Sequence, residues 1–238
     1  MKRGRILNTV ALACETIIDE INRSAAEINS KIPIRWIESG LHNSPERLRN
    51  HLQDEITTLE SDDLDYILLL FGYCGNALLG LVSAKCRLVI PRVDDCISLI
   101  LGGNNKRNEL SKKEMAYYLT KGWLRHDKNL WNEYHYCLRK YGQQRTHEIY
   151  RIMLGNYKNL NVIATGAYNL ADILPQTKEL AGALGLEHKV IDGSLDIIRK
   201  ALLAEWDDDF AIIEAGDPVS LETLRLLPPS LPQTGSSG

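Results

Sequence analysis

Short apolar runs alternate along the chain with segments whose apolar residues recur at helical spacing. The alternation predicts an α/β fold, a mainly parallel sheet or sheets flanked by helices. The first run, Ile6 to Ala13, reads as a strand, and Ile17, Ile21, Ala25 and Ile28 then mark one face of a helix. Ile34 to Ile37 predicts a second strand. Ser44-Pro45 supplies a capping hydroxyl and a first-turn proline for a helix buried through Leu48, Leu52, Ile56 and Leu59. Tyr66 to Phe71 shows no alternation, as a strand covered on both faces does. Beyond it the pattern predicts a helix over Leu78–Ala84, a strand over Arg87–Ile90, a helix over Ile97–Leu101 stopped by Gly102-Gly103, and a strand over Tyr117–Thr120. A long helical stretch runs from Trp123 to about Leu154. In the remaining third, strands at Asn161–Thr165, His188–Ile191 and Phe210–Glu214 alternate with helices at Asp172–Ala183 and Leu195–Leu203.

These elements divide into a cysteine-bearing α/β half over residues 1–125, a connecting helix over 126–155, a second α/β half over 156–230 and a flexible tail over 231–238. Two Rossmann-like halves and one continuous sheet both satisfy this order, and no internal repeat chooses between them. The tail contains the sortase-type pattern Leu231-Pro232-Gln233-Thr234-Gly235. No apolar segment or basic tail follows it, so the pattern is expected to be incidental.

Charge and composition narrow the function classes. With 28 basic and 31 acidic residues there is no global basic field, and nucleic acid is not an expected partner. Tyr66 to Ala84 is uncharged over 19 residues, long enough to raise the question of a membrane span. Gly72-Tyr73-Cys74-Gly75-Asn76 interrupts it, and a strand and a helix are expected instead. The basic start, Met1 to Arg5, resembles a secretory signal until Asn8 and Glu15 break the apolar run. Five cysteines, an odd number, then argue for a reducing, cytoplasmic compartment rather than a disulfide framework.

Parallel sheets bind ligands outside the carboxyl ends of their strands. Cys14 follows the first strand directly, Cys74 lies in the glycine loop after the third, and Cys96 lies just after the strand ending at Ile90-Pro91. All three are therefore expected on one sheet edge, with Cys86 and Cys137 elsewhere. Three thiolates from three loops suit a 4Fe-4S cluster with one open iron, or a zinc ion with an open fourth position. The simpler reading is that they are buried apolar side chains.

The blocks Leu41-His42-Asn43-Ser44-Pro45-Glu46, Gly72-Tyr73-Cys74-Gly75-Asn76, Ile90-Pro91-Arg92-Val93-Asp94-Asp95-Cys96-Ile97 and Tyr117-Tyr118-Leu119-Thr120-Lys121-Gly122-Trp123 resemble domain of unknown function family 1638. Ala13-Cys14 and Thr165-Gly166-Ala167-Tyr168 fit the same pattern, so the likeness spans nearly the whole chain. The resemblance implies recurrent cysteines at Cys14, Cys74 and Cys96. It also implies a setting in methanogens and anaerobic bacteria, near corrinoid-dependent methyltransferases. Asp94 stands where the family sometimes has histidine.

Neighbouring residues have two readings each. His42 is a candidate fourth ligand or substrate contact, or a silent loop histidine. Arg92 and Asp95 are candidates for orienting a substrate or moving a proton, though Asp94 or Asp95 also suits a helix N-cap. Gly75 and Asn76 are candidates for contacting the bound group, or they simply make the turn. Thr165, after a later strand, is a candidate cofactor contact or a turn residue. Tyr117, Tyr118 and Trp123 read as core or pocket wall.

The leading expectation is a metal-binding protein whose three cysteines carry a 4Fe-4S cluster, meeting a small-molecule substrate or a corrinoid-pathway protein. Its place in anaerobic one-carbon metabolism is implied by the resemblance alone. A zinc-thiolate protein acting in methyl transfer to a thiol is the alternative. An accessory protein with metal-free cysteines is the third reading.

Overall fold

The computed structural model describes residues 7–224. The tail at 231–238 and the first residue of the expected opening strand, Ile6, lie outside that range. The strands are β1 (Thr9–Cys14), β2 (Ile34–Ile37), β3 (Tyr66–Leu70), β4 (Arg87–Pro91), β5 (Ala116–Leu119), β6 (Asn159–Ala164), β7 (Glu187–Asp192) and β8 (Phe210–Ile213). They form two sheets, one ordered β2-β1-β3-β4-β8 and one ordered β5-β6-β7. Every pairing is parallel except β4 with β8. The expected mixed α/β architecture with mostly parallel sheets is therefore present, as two sheets. Ile67 to Leu70 are fully buried, which accounts for the unbroken apolar run in β3.

The helices are α1 (Ile18–Glu27), α2 (Pro45–Leu59), α3 (Cys96–Leu101), α4 (Asn104–Lys113), α5 (Lys121–Arg125), α6 (Leu130–Met153), α7 (Leu174–Leu184) and α8 (Asp196–Leu202). In α2 the Ser44 side chain accepts from Arg47 N, Pro45 opens the first turn, and Leu48, Leu52 and Ile56 are buried. Three expectations need correction, and one helix has no counterpart in the sequence pattern. Leu78–Ala84 is not a helix: Gly80 N donates to Val219 O and Val219 N to Leu81 O, both at 2.9 Å, and Gln53 binds both backbone groups of Val82. Those outside partners replace the intrahelical ladder. The stretch from Trp123 to Leu154 is two helices, because Asn129 caps α6 by accepting from Asn132 N, and α6 itself kinks at Gly142 with φ +77°. The pattern gave no sign of α4, which is polar all round and has no buried residue. Finally, β8 falls by sequence in the second half but lies in the first sheet, antiparallel to β4. Its buried Phe210, Ala211 and Ile213 complete the first core rather than the second.

The two sheets meet at a tight seam. One face of the second sheet presents Ala116, Tyr118 and Ile163 to the main core, where α8 packs against α1 and α3. Its other face presents Leu119, Leu160 and Val162 to Tyr134, Tyr150 and Leu180 of α6 and α7. At Gly122 a Cβ would lie 2.0 Å from the carbonyl oxygen of Thr16, so only glycine lets α5 reach the end of β1. Glu20 of α1 is fully buried at this seam. The Thr165 hydroxyl donates to Glu20 Oε1 at 3.1 Å, while Oε2 has no partner among the described residues. Burial pushes this carboxyl up to about 7 from an ordinary 4.5, against the lowering effect of its hydrogen bonds.

That shift sets a pH dependence. Between pH 4.5 and 7 the folded carboxyl keeps a proton that the unfolded chain has released, so stability falls as pH rises through this window. The loss should approach about 3 kcal/mol by pH 8, and Glu20→Gln should remove most of it. Urea unfolding of both proteins from pH 5 to 8 checks this; parallel profiles would refute it. Gly122→Ala should cost more than about 2 kcal/mol in the same assay, by forcing the seam apart.

Candidate metal centre

Three strand ends and one short turn build the site. Cys14 closes β1, and its sulfur stands 2.8 Å from Thr16 Oγ1 and accepts from Thr16 N at 3.4 Å. The loops after β3 and β4 run side by side, with Tyr73 N donating to Val93 O at 2.8 Å and Cys74 N to Asp94 O at 2.9 Å. Gly72 makes this approach possible: a Cβ there would lie 2.3 Å from Asp95 Cα. Cys74 and Cys96 are thereby delivered to one place. After β2, a 3-10 turn over Ser39–Asn43 carries His42 inward, and its Nε2 lies 2.8 Å from Cys14 Sγ.

The ligand atoms of Cys14, His42 and Cys96 all lie within 4.8 Å of one another, and this group could hold a metal ion. Cys74 flanks it, and its thiol interacts with Cys96. Its backbone is left-handed (φ +49°), and Gly75 and Asn76 follow at +63° and +77°. Left-handed conformation is costly for residues with a Cβ, so Cys74 and Asn76 are held there by their surroundings.

The three thiols are not equivalent. Hydrogen bonds from Cys14 and Cys74, with His42 and the Gly72 amide close by, hold Cys96 well below the usual thiol range. Burial is the largest influence pushing Cys14 up; for Cys74 it is the hydrogen bond to Cys96, with burial second. The thiols thus differ in how readily they ionise, and a cation binding there would displace their protons.

The sequence-predicted residues fare differently. Cys14 and Cys96 come within ligand spacing together with His42, while Cys74 stays outside that group, beside Cys96. Cys86 and Cys137 lie elsewhere, Cys86 against Ser61 O and Cys137 beside the second core. Asp95 lines the cavity above the centre, yet one carboxylate oxygen accepts from Ser98 N at 2.7 Å and the other faces Arg107 at 3.9 Å. Gly75 also lines this cavity. Asn76 instead accepts from the Tyr73 hydroxyl, a turn contact. Arg92 points away: its guanidinium donates to the carbonyls of Phe210, at 2.9 Å, and Thr223, tying down β8 and the segment after it. Thr165 is engaged at the seam with Glu20.

The cavity measures about 510 Å³. His42, Cys74 and Cys96 lie on its floor, and Tyr117, Leu119, Trp123 and Leu130 form the wall contributed by the second sheet and its helices. Sequence reading anticipated Tyr117 and Trp123 as wall or core. It gave no sign of Thr16, Ser39 or Leu130, which belong to no motif and meet only through the seam.

The fold and site define a Rossmann-like α/β protein with a cysteine–histidine group that could hold a metal ion. The family model described as protein of unknown function (DUF1638) matches residues 36–202, and the chain belongs to that family. The match includes His42, Cys74 and Cys96, while Cys14 precedes it. No curated protein and no solved structure matches the chain. Among the described residues no helix is long and apolar enough to cross a membrane.

Gly72→Ala should part the two loops and deprive the Cys96 thiolate of its donors. Its titration, followed by ultraviolet thiolate absorbance, should move up. An unchanged titration would show that Gly72 does not set this geometry.

Proposed function

We propose that the protein binds a single zinc ion through Cys14, His42 and Cys96, with Cys74 at the edge of the shell and a substrate approaching from the cavity. The observation that carries this reading is the spacing of the three ligand atoms within 4.8 Å. Ligands on one tetrahedral zinc stand about 3.3 to 3.8 Å apart, so a shift on the order of an ångström closes the shell. The cysteines of a cubane cluster each bind a different iron and stand further apart, so the spacing favours a lone ion over the 4Fe-4S cluster first expected. Two sulfurs and one nitrogen also form a donor set that zinc accepts with a fourth position left for a substrate.

Zinc in such a shell supplies Lewis acidity, letting a bound thiol exist as thiolate at neutral pH. The chain's own residues position the ion and exclude water: Thr16 orients Cys14, the paired loops orient Cys96, and the aromatic wall covers the site. The family resemblance supplies the setting, corrinoid-linked one-carbon metabolism in a reducing cytoplasm, where the thiolate would accept a methyl group. Neither Arg92 nor Thr165 takes part, since both are engaged elsewhere.

Metal analysis of protein purified without air tests the proposal. One equivalent of zinc is expected, and Cys14→Ser, His42→Ala and Cys96→Ser should each weaken binding by more than about the hundredfold typical of losing an outer-shell partner. Iron with inorganic sulfide would replace the zinc reading by the cluster. No metal uptake by the reduced protein would leave an accessory protein with free cysteines.

A further inference from the structure

We propose that Cys74 is an oxidation site: hydrogen peroxide entering the cavity joins it to Cys96 in a disulfide, and formation of that bond expels the metal ion. The disulfide stands on the cysteines alone, whereas release of the ion rests on the single-ion reading above. Of the three cysteines at the centre, only Cys74 is partly exposed; Cys96 is 3% exposed and Cys14 0%. Cys74 and Cys96 line the cavity of about 510 Å³, which admits a molecule as small as peroxide, while Cys14 lies behind them. Oxidation selects accessible thiols, so Cys74 is the first one reached.

The loop pairing fixes its partner. Cys74 N donates to Asp94 O at 2.9 Å, two residues before Cys96, and the Cys74 thiol interacts with that of Cys96. A disulfide here links two loops already in backbone contact, so it calls for no large backbone movement. Cys14 is the poorer partner, because its sulfur is engaged at 2.8 Å by both Thr16 Oγ1 and His42 Nε2. Cys74 also stands outside the group formed by Cys14, His42 and Cys96, and so keeps a free thiol when those residues hold an ion.

The reaction takes two steps. The Cys74 sulfur attacks one peroxide oxygen, the O–O bond breaks, and a sulfenic acid and water form. The Cys96 sulfur then displaces the hydroxyl group from Cys74, which leaves as a second water with the Cys96 proton. In the metal-loaded protein the bond from Cys96 to the ion breaks instead, and the leaving hydroxide takes its proton from solvent. The two sulfurs together give two electrons to the peroxide. The ion keeps its oxidation state and loses a ligand.

The test treats the reduced, metal-free full chain with one equivalent of hydrogen peroxide without air, then maps the linkage by peptide mass spectrometry. A loss of two hydrogens, a peptide pair joined through Cys74 and Cys96, and reversal by dithiothreitol are expected. Cys86→Ser should leave that linkage unchanged, and Cys74→Ser should abolish it. A Cys14–Cys96 linkage, or Cys74 recovered as free thiol or sulfinic acid, would overturn the proposal. The zinc-loaded protein is then treated alike, with a chromogenic chelator reading the free ion. One equivalent of zinc should be lost as the linkage forms; zinc retained by the linked protein would overturn the release step. A linkage in a protein that takes up no zinc would sink the single-ion reading and leave the oxidation site standing. Should Cys74→Ser fail to fold, the mapped linkage of the unaltered chain decides alone.

Discussion

The backbone of Gly72 lies so close to Asp95 that no side chain fits between them, and the geometry of the centre follows from that contact. Because the two loops touch, they can exchange amide hydrogen bonds, and Cys74 is brought near enough to interact with Cys96. A parallel sheet alone brings strand ends to one edge but leaves them a strand spacing apart. The loop pairing closes the remaining distance. It also turns Cys74 through a run of left-handed residues in which only Gly75 is free of steric cost. Such a run persists because the surrounding hydrogen bonds over-determine it.

Once the sulfurs are together, burial and proximity act in opposite directions. A buried thiol resists ionisation, yet Cys96 receives hydrogen bonds from two others and is held low. The proton burden is shifted onto Cys14 and Cys74. A divalent cation held by these sulfurs would displace their protons, and its charge would offset the cost of burying thiolates. His42 adds a nitrogen donor beside the two sulfurs.

The second sheet matters to the centre as its cover. Gly122 brings α5 against the end of β1, and the same docking carries Trp123 over the ligand group. Glu20 lies on this seam with one oxygen unpartnered. A seam held by close backbone packing and a buried acid connects the stability of the interface between sheets to the shape of the cavity. Packing at the seam and the shape of the cavity are consequently one structural property.

The sequence alone determined the strands with uninterrupted apolar runs, the helix capped by Ser44-Pro45, and the placement of Cys14, Cys74 and Cys96 at strand ends. Those features are local: periodicity, caps and the parallel-sheet rule suffice to read them. Tertiary structure decided the rest. His42 becomes a prospective ligand only because its turn folds back on Cys14. Arg92 is withdrawn because β8 returns to the first sheet and supplies carbonyls for its guanidinium. Thr165 is claimed by a glutamate 145 residues away. Local pattern records which face of an element is buried but not which distant partner buries it, and the donor set of this centre is fixed by such partners.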